Sequence, residues 1–160
     1  MFIKDLNFIQ ISKSRLPSEY KELLDHNQSM TLRLESFYRQ EMCMEIIEEI
    51  VLGDIYKREM IMFGSEDHIP RELAYIEIFL ENLPNRLARK EVMEGKKPFG
   101  KILMDYKIEA IREMKTFFKV YDKRMLKYSK NLNDFCYGRE YSILLLSGKK
   151  KLANVIENVF

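Results

Sequence analysis

The chain has 160 residues, 46% hydrophobic and 32% charged, the balance of a soluble globular protein with length for one domain, residues 1–160, and a core of its own. Lys and Arg total 27 against 25 Asp and Glu, and a net charge of +2 gives no electrostatic reason for a nucleic-acid or membrane-surface partner. No apolar run approaches the roughly 18 residues of a membrane span, and the first residues lack an export signal's apolar core, so a cytoplasmic setting is expected.

Pro17-Ser18-Glu19 opens a helix, with Tyr20, Leu23 and Leu24 at helical spacing. Asn27-Gln28-Ser29 interrupts it, and Ser29 is placed to cap a second short helix through Thr31, Leu32 and Leu34. The stretch 41–52 fits two periods. Cys43, Ile46, Ile47, Ile50 and Val51 make a helical stripe, and Met42, Met44, Ile46, Ile50 and Leu52 make a strand face. Gly53-Asp54 is a turn signal before the strand 55–63, and a hairpin across that turn favours strand for 41–52. A polar loop, 64–70, leads to a strand in which Ala74, Ile76, Ile78 and Leu80 alternate with Tyr75, Glu77, Phe79 and Glu81, the pattern of a half-buried strand.

Pro84 to Glu94 reads as a helix with Pro near its start and Gly95 closing it. Pro98-Phe99-Gly100 is a sharp bend before a short helix, 101–105. In 108–122, Ala110, Met114, Thr116, Phe118 and Val120 alternate with Glu109, Glu113, Lys115 and Lys119, a strand although its Lys and Glu content would suit a helix. A helix is expected at 123–131. The tail is a hairpin, 141–146 and 152–160 joined by Ser147-Gly148-Lys149. On its last strand Ala153, Val155, Glu157 and Val159 share a face. Glu157 is then either a carboxylate on an apolar face, where burial favours the neutral form and suits acid–base work, or a rim residue in solvent.

Six strands in hairpin order with flanking helices make the fold class α+β with an antiparallel sheet. Cys43 and Cys136 form no CxxC and are expected to be free thiols. His26 and His68 have no metal-ligand spacing and are expected at the surface, and no metal site is expected. No GxGxxG, P-loop, HExxH or GxSxG motif is present.

Several landmarks fall in an order that resembles the chorismate pyruvate-lyase family, in its compact branch outside the ubiquinone-pathway enzymes. They are Ser29-Met30-Thr31 with Arg33 behind it, Lys57-Arg58-Glu59, and the run from Gly95 through Pro98-Phe99-Gly100 to Leu103. Tyr137-Gly138-Arg139-Glu140, Ser147-Gly148-Lys149 and Ile156-Glu157 complete the series. The resemblance implies a chorismate-lyase-like fold of six antiparallel strands with helices. It implies a cofactor-free lyase converting chorismate, or a close cyclic carboxylate, to 4-hydroxybenzoate and pyruvate. The same fold serves as the effector-binding domain of a class of bacterial transcription regulators, so the alternative is a non-catalytic sensor of an aromatic carboxylate. Either way the partner is a small molecule.

Residue by residue, the resemblance assigns Arg58 to the substrate carboxylate, because a guanidinium binds a carboxylate through a planar fork. It assigns Glu157 to proton transfer at the hydroxyl side of the ring. The backbone N–H groups of Met30 and Phe99 are assigned to ligand oxygens. Each has a plainer role open to it: a paired surface cation for Arg58, a helix-entry staple for Met30, core for Phe99. Arg139 supports strand geometry or a second carboxylate. Glu157 comes two residues late against the ubiquinone-pathway spacing, a shift that a bulge or a longer turn would absorb.

Overall fold

The computed structural model describes residues 7–121, 127–128 and 135–160. In chain order the elements are β1 (Phe8–Ile11), α1 (Ser18–Leu24), α2 (Met30–Tyr38), β2 (Met42–Leu52), β3 (Ile55–Gly64), β4 (Pro70–Phe79), α3 (Arg86–Glu94), α4 (Phe99–Asp105), β5 (Ala110–Val120), β6 (Cys136–Leu145) and β7 (Lys151–Val159). The strands form one sheet in the order β1-β5-β6-β7-β4-β3-β2, and every neighbouring pair is antiparallel. The expected α+β antiparallel fold is therefore present, with seven strands among the described residues rather than six. The added strand is β1, four mostly exposed residues whose place comes from pairing with β5, Phe8 opposite Val120, rather than from an apolar face of their own.

Both ambiguous stretches are strands. The 41–52 stretch is the edge strand β2, paired with β3 from Met42–Gly64 to Leu52–Ile55. Its outer half is exposed on both faces, which is why neither period was clean. Gly53 takes a φ of 59° at the hairpin tip, as expected. In β5 a bulge between Met114 and Thr116 switches the side-chain parity. Met114 and Phe117 thus face the helices, while Phe118 and Val120 face away, so the single apolar face drawn through all of 110–120 is corrected. The half-buried reading of β4 is corrected too. Leu73, Ala74, Tyr75 and Ile76 are all buried, because β4 is internal to the sheet and both of its faces are covered.

Helix boundaries follow their caps. The side chain of Asn85, not Pro84, accepts the N–H groups of Leu87 and Ala88 to start α3, and Gly95 ends it at φ 67°. Ser29 stands at the cap position of α2, but its side chain makes no capping bond, against expectation. Phe99 and Gly100 form the first turn of α4 rather than a bend before it. The helix expected at 123–131 lies outside the described residues, 127–128 apart.

The four α-helices among the described residues pack on one face of the sheet. From α1 and α2, Tyr20, Leu24, Met30 and Leu34 meet Met62, Phe117, Tyr137 and Val159. From α3 and α4, Ala88, Val92, Phe99 and Ile102 meet Tyr56, Ile78, Ile143 and Val155. Each fully buried large side chain contributes about 1.5–3 kcal/mol. A seam between the starts of α2 and α4 leaves a small cavity over the sheet face. On the far face, Leu73, Tyr75, Phe118, Val120 and Cys136 form a smaller core. Both cysteines are free, and burial pushes the Cys136 thiol up to about 12, where it is inert.

Candidate ligand-binding site

The period of two puts Arg139 and Tyr141 of β6, Val155 and Glu157 of β7, Glu72, Ala74 and Ile76 of β4, and Arg58 and Met60 of β3 on the helix face. Glu157 lies directly opposite Arg139 on one side and Ala74 on the other. Its exposure is 5%, which excludes the solvent-rim reading. The tail hairpin carries a register shift between Ile143 and Leu144, the kind of bulge expected to absorb late spacing.

The carboxylate of Glu157 is engaged at both oxygens. Arg139 Nε donates to Oε2 at 2.8 Å, and the Tyr141 hydroxyl donates to Oε1 at 2.6 Å. Arg139 is fully buried and also reaches up to the helices. Its Nη1 donates to the carbonyls of Leu24 at 3.0 Å and His26 at 2.7 Å, where α1 ends and its last carbonyls need donors. One guanidinium thus ties the α1 terminus to the sheet and neutralises the buried carboxylate. Burial, and then the Glu157 charge, push the Tyr141 phenol well above its ordinary value, so it stays a donor.

Glu72 is the second buried carboxyl of this face, roughly 7–8 Å from Glu157 on the diagonal by strand geometry. Burial, and then the Glu157 charge, hold its pKa well above the usual carboxylate range, with Arg139 opposing.

His26 is half-buried rather than at the surface. Gln28 N–H donates to its Nδ1 at 3.1 Å, so Nε2 carries the proton and donates to the Leu23 carbonyl at 2.8 Å. Burial, then the Arg139 charge, lowers its pKa from 6.5 to about 4. Between these values the unfolded chain binds a proton that the native state refuses, so stability is lost as pH falls from 6.5 towards 4. For a half-exposed ring the loss is about 1 kcal/mol after solvent screening. Urea unfolding at pH 7 and pH 4.5 should show a smaller pH-dependent loss for His26→Gln than for the unaltered chain, and equal losses would remove His26 as the cause.

Arg58 is fully buried on β3, which excludes the surface-cation reading. Its Nη2 donates to the Lys97 carbonyl at 2.9 Å, one residue before Pro98, and Nε and Nη1 have no hydrogen-bond partner. Burial lowers its pKa, opposed by Tyr56 and Glu49. Arg58 does not pair with Glu157; Arg139 does.

Under the seam lies an inner cavity of about 30 Å³. Glu157, Glu72, Met60, Val155 and Tyr141 form its floor. Ser29, Met30 and Thr31 from the start of α2, and Pro98, Phe99 and Gly100 from the start of α4, form its walls. Met30, Phe99 and Glu157 are thus brought to one cavity, while Arg58 stands behind its Lys97–Pro98 edge. Sequence reasoning missed Glu72 and Tyr141 and undervalued Arg139. Two signals could have found them. Counting back through the tail hairpin from its turn pairs residue 139 with 157, and Glu72 shares the β4 period of Ala74 and Ile76.

No protein-family model matches this chain, and no curated protein matches it. Several solved structures are similar to it. One is PhnF from Mycobacterium smegmatis, at 7% identity and a TM-score of 0.57, over 82% of this chain and 63% of that one. Another is a gene product of Staphylococcus aureus subsp. aureus, at 13% identity and a TM-score of 0.51, over 74% of this chain and 82% of that one. A third is a GntR-family transcriptional regulator from Bacillus cereus, at 16% identity and a TM-score of 0.48, over 75% of this chain and 92% of that one. At such identities the likeness concerns the fold, which is the chorismate-lyase-like α+β fold built here on seven strands.

Proposed function

We propose that this domain binds a small organic anion and serves as a sensor or carrier domain rather than a lyase. The observation that carries this reading is the state of Glu157. Both of its oxygens are held by donors of the protein, Arg139 and Tyr141, in a buried ion pair. These bonds account for the buried carboxylate by a structural role, fixing β7 to β6, while each oxygen keeps a second acceptor site.

Charge supports an anionic ligand. Arg58 and Arg139 are buried cations on this face; Arg139 is paired with Glu157, and Glu49, opposite Arg58 on β2, attracts the Arg58 charge. Arg58 keeps Nε and Nη1 without a hydrogen-bond partner, and a buried guanidinium with unused donors favours an anion near it. Helix starts supply further donors, since the first N–H groups of a helix have no intrahelical partner. Those of Met30 and Phe99 belong to the cavity walls. Arg58 acts in this scheme by its charge and by holding the Lys97 carbonyl, which sets the Pro98–Gly100 wall.

The lyase reading and this one part company on turnover. Incubated with chorismate, the protein should release no 4-hydroxybenzoate or pyruvate, yet titration with 4-hydroxybenzoate should show binding. Release of both products would restore the lyase; no binding of any carboxylate would end the anion reading. Arg58→Ala should weaken 4-hydroxybenzoate binding by about 1.5–3 kcal/mol, roughly ten- to a hundredfold, while a thermal melt still reports a folded domain. Arg58→Lys should rescue part of the loss, because an ammonium keeps the charge but not the guanidinium's hold on the Lys97 carbonyl. Unchanged affinity in Arg58→Ala would remove Arg58 from the site.

A further inference from the structure

The inner cavity opens beside a much larger space. Ser29, Gly100 and Arg112 line both the inner cavity and an outer hollow of about 660 Å³. The outer hollow is open to solvent, and its walls mix apolar Leu32 from α2, Leu103 and Met104 from α4, and Ile108, Ala110 and Leu146 from the sheet end with polar Gln28, Lys107 and Glu109. The two volumes set what each space can hold. About 30 Å³ takes one or two waters or a carboxylate, not a ring. The outer hollow has the volume of a site for a whole small molecule.

Arg112 stands at the threshold. It projects from β5 on the helix face, opposite Ile143. Gly100 lets the start of α4 press against α2: a Cβ there would lie 2.6 Å from Ser29 Oγ and 3.6 Å from Arg112 Nη2. The guanidinium is barely used. Nη1 makes a long 3.4 Å contact to the Asn27 carbonyl, and Nε is buried with no hydrogen-bond partner. No ion pair joins Arg112 to a carboxylate among the described residues. Its positive charge reaches Tyr141 on the cavity floor, where it opposes the upward shift of that phenol.

We propose that Arg112 is the head-group anchor of the site, and that the ligand is an amphipathic carboxylate whose charged head sits at the threshold and whose apolar body fills the outer hollow. The proposal rests on the anion-binding reading above and adds to it the size and polarity of the ligand. A guanidinium with an unused N–H beside the apolar side of the hollow, Leu32, Leu103, Met104 and Leu146, matches a carboxylate on a hydrocarbon body. A short hydrophilic anion would leave the hollow unfilled.

The test compares three probes by calorimetric titration of the full chain: benzoate as the compact anion, decanoate as the amphipathic one, and decanol as its neutral counterpart. Decanoate should bind at least tenfold more tightly than benzoate. Arg112→Gln should weaken decanoate about tenfold or more and leave decanol unchanged, and Arg112→Lys should recover part. Met104→Glu, at an exposed wall residue of the hollow, should weaken decanoate and spare benzoate, and circular dichroism checks that each variant is folded. Benzoate binding with no gain from the decyl chain, or decanoate binding indifferent to Arg112→Gln, overturns this proposal and leaves the anion reading standing. Failure of both carboxylates to bind overturns the two together.

Discussion

Arg139→Ala should cost about 3–5 kcal/mol of folding stability, because it strands a buried carboxylate. The substitution removes the Nε donor from Glu157 at 2.8 Å and both Nη1 bonds to the Leu24 and His26 carbonyls. Glu157 would keep the Tyr141 hydroxyl, which is neutral and cannot balance its charge. For a domain of this size the loss corresponds to a fall in melting temperature of about 6–20 °C. The penalty comes from the unpaired charge, so removing the charge as well should return part of it. Arg139→Met with Glu157→Leu fills the volume with apolar groups and should be clearly more stable than Arg139→Met alone. The check is a double-mutant cycle by urea unfolding, with pairwise coupling of at least about 1 kcal/mol expected between residues in direct contact. Additive effects would mean that Arg139 acts on the α1 terminus and not on Glu157.

Much of this architecture was legible in the sequence because strands announce themselves by period and by turn. The Gly53 and Ser147–Lys149 turns located both hairpins, and the period of two set Ala153, Val155, Glu157 and Val159 on one buried face, as found. Where the pattern failed, tertiary structure supplied what local sequence does not carry. The bulge in β5 reverses the side-chain parity within a strand, and no residue type at Lys115 marks it. β1 owes its existence to the edge of β5 rather than to four residues of its own. The site was half legible for a related reason. Single residues could be assigned by resemblance, but pairing is a matter of register across strands. Arg58 and Arg139 both follow the even-odd logic of their strands, yet only the sheet order puts β6, and not β3, beside β7. The raised pKa of Glu72 depends on burial and on a charge from another strand, neither of which is written near residue 72.

Gly138→Ala should be the second severe substitution, costing about 3 kcal/mol, the upper end of what overpacking a close-packed interior costs. Gly138 lies on the far face of β6, opposite Phe118 on β5 and Asn158 on β7. A Cβ there would press on the Phe118 ring and come within 2.5 Å of Asn158 Oδ1 and of the Glu157 backbone carbonyl. A side chain can swing aside; the carbonyl cannot, because β7 is held between β6 and β4. The strain is therefore steric and not conformational. Gly148 gives the contrast: its φ is 75° with open space around it, so Gly148→Ala meets only left-handed backbone strain, about 1–2 kcal/mol. The two positions also differ in what they do to the site. Moving the Glu157 carbonyl moves its side chain on the opposite face, so Gly138→Ala should weaken carboxylate binding as well as stability. Gly148→Ala, out at the hairpin tip, should leave binding unchanged. Urea unfolding and benzoate titration of the two variants measure both effects. A smaller stability loss in Gly138→Ala than in Gly148→Ala would show that β6 and β7 can part to admit a methyl group, and that the floor under Glu157 is softer than its packing implies.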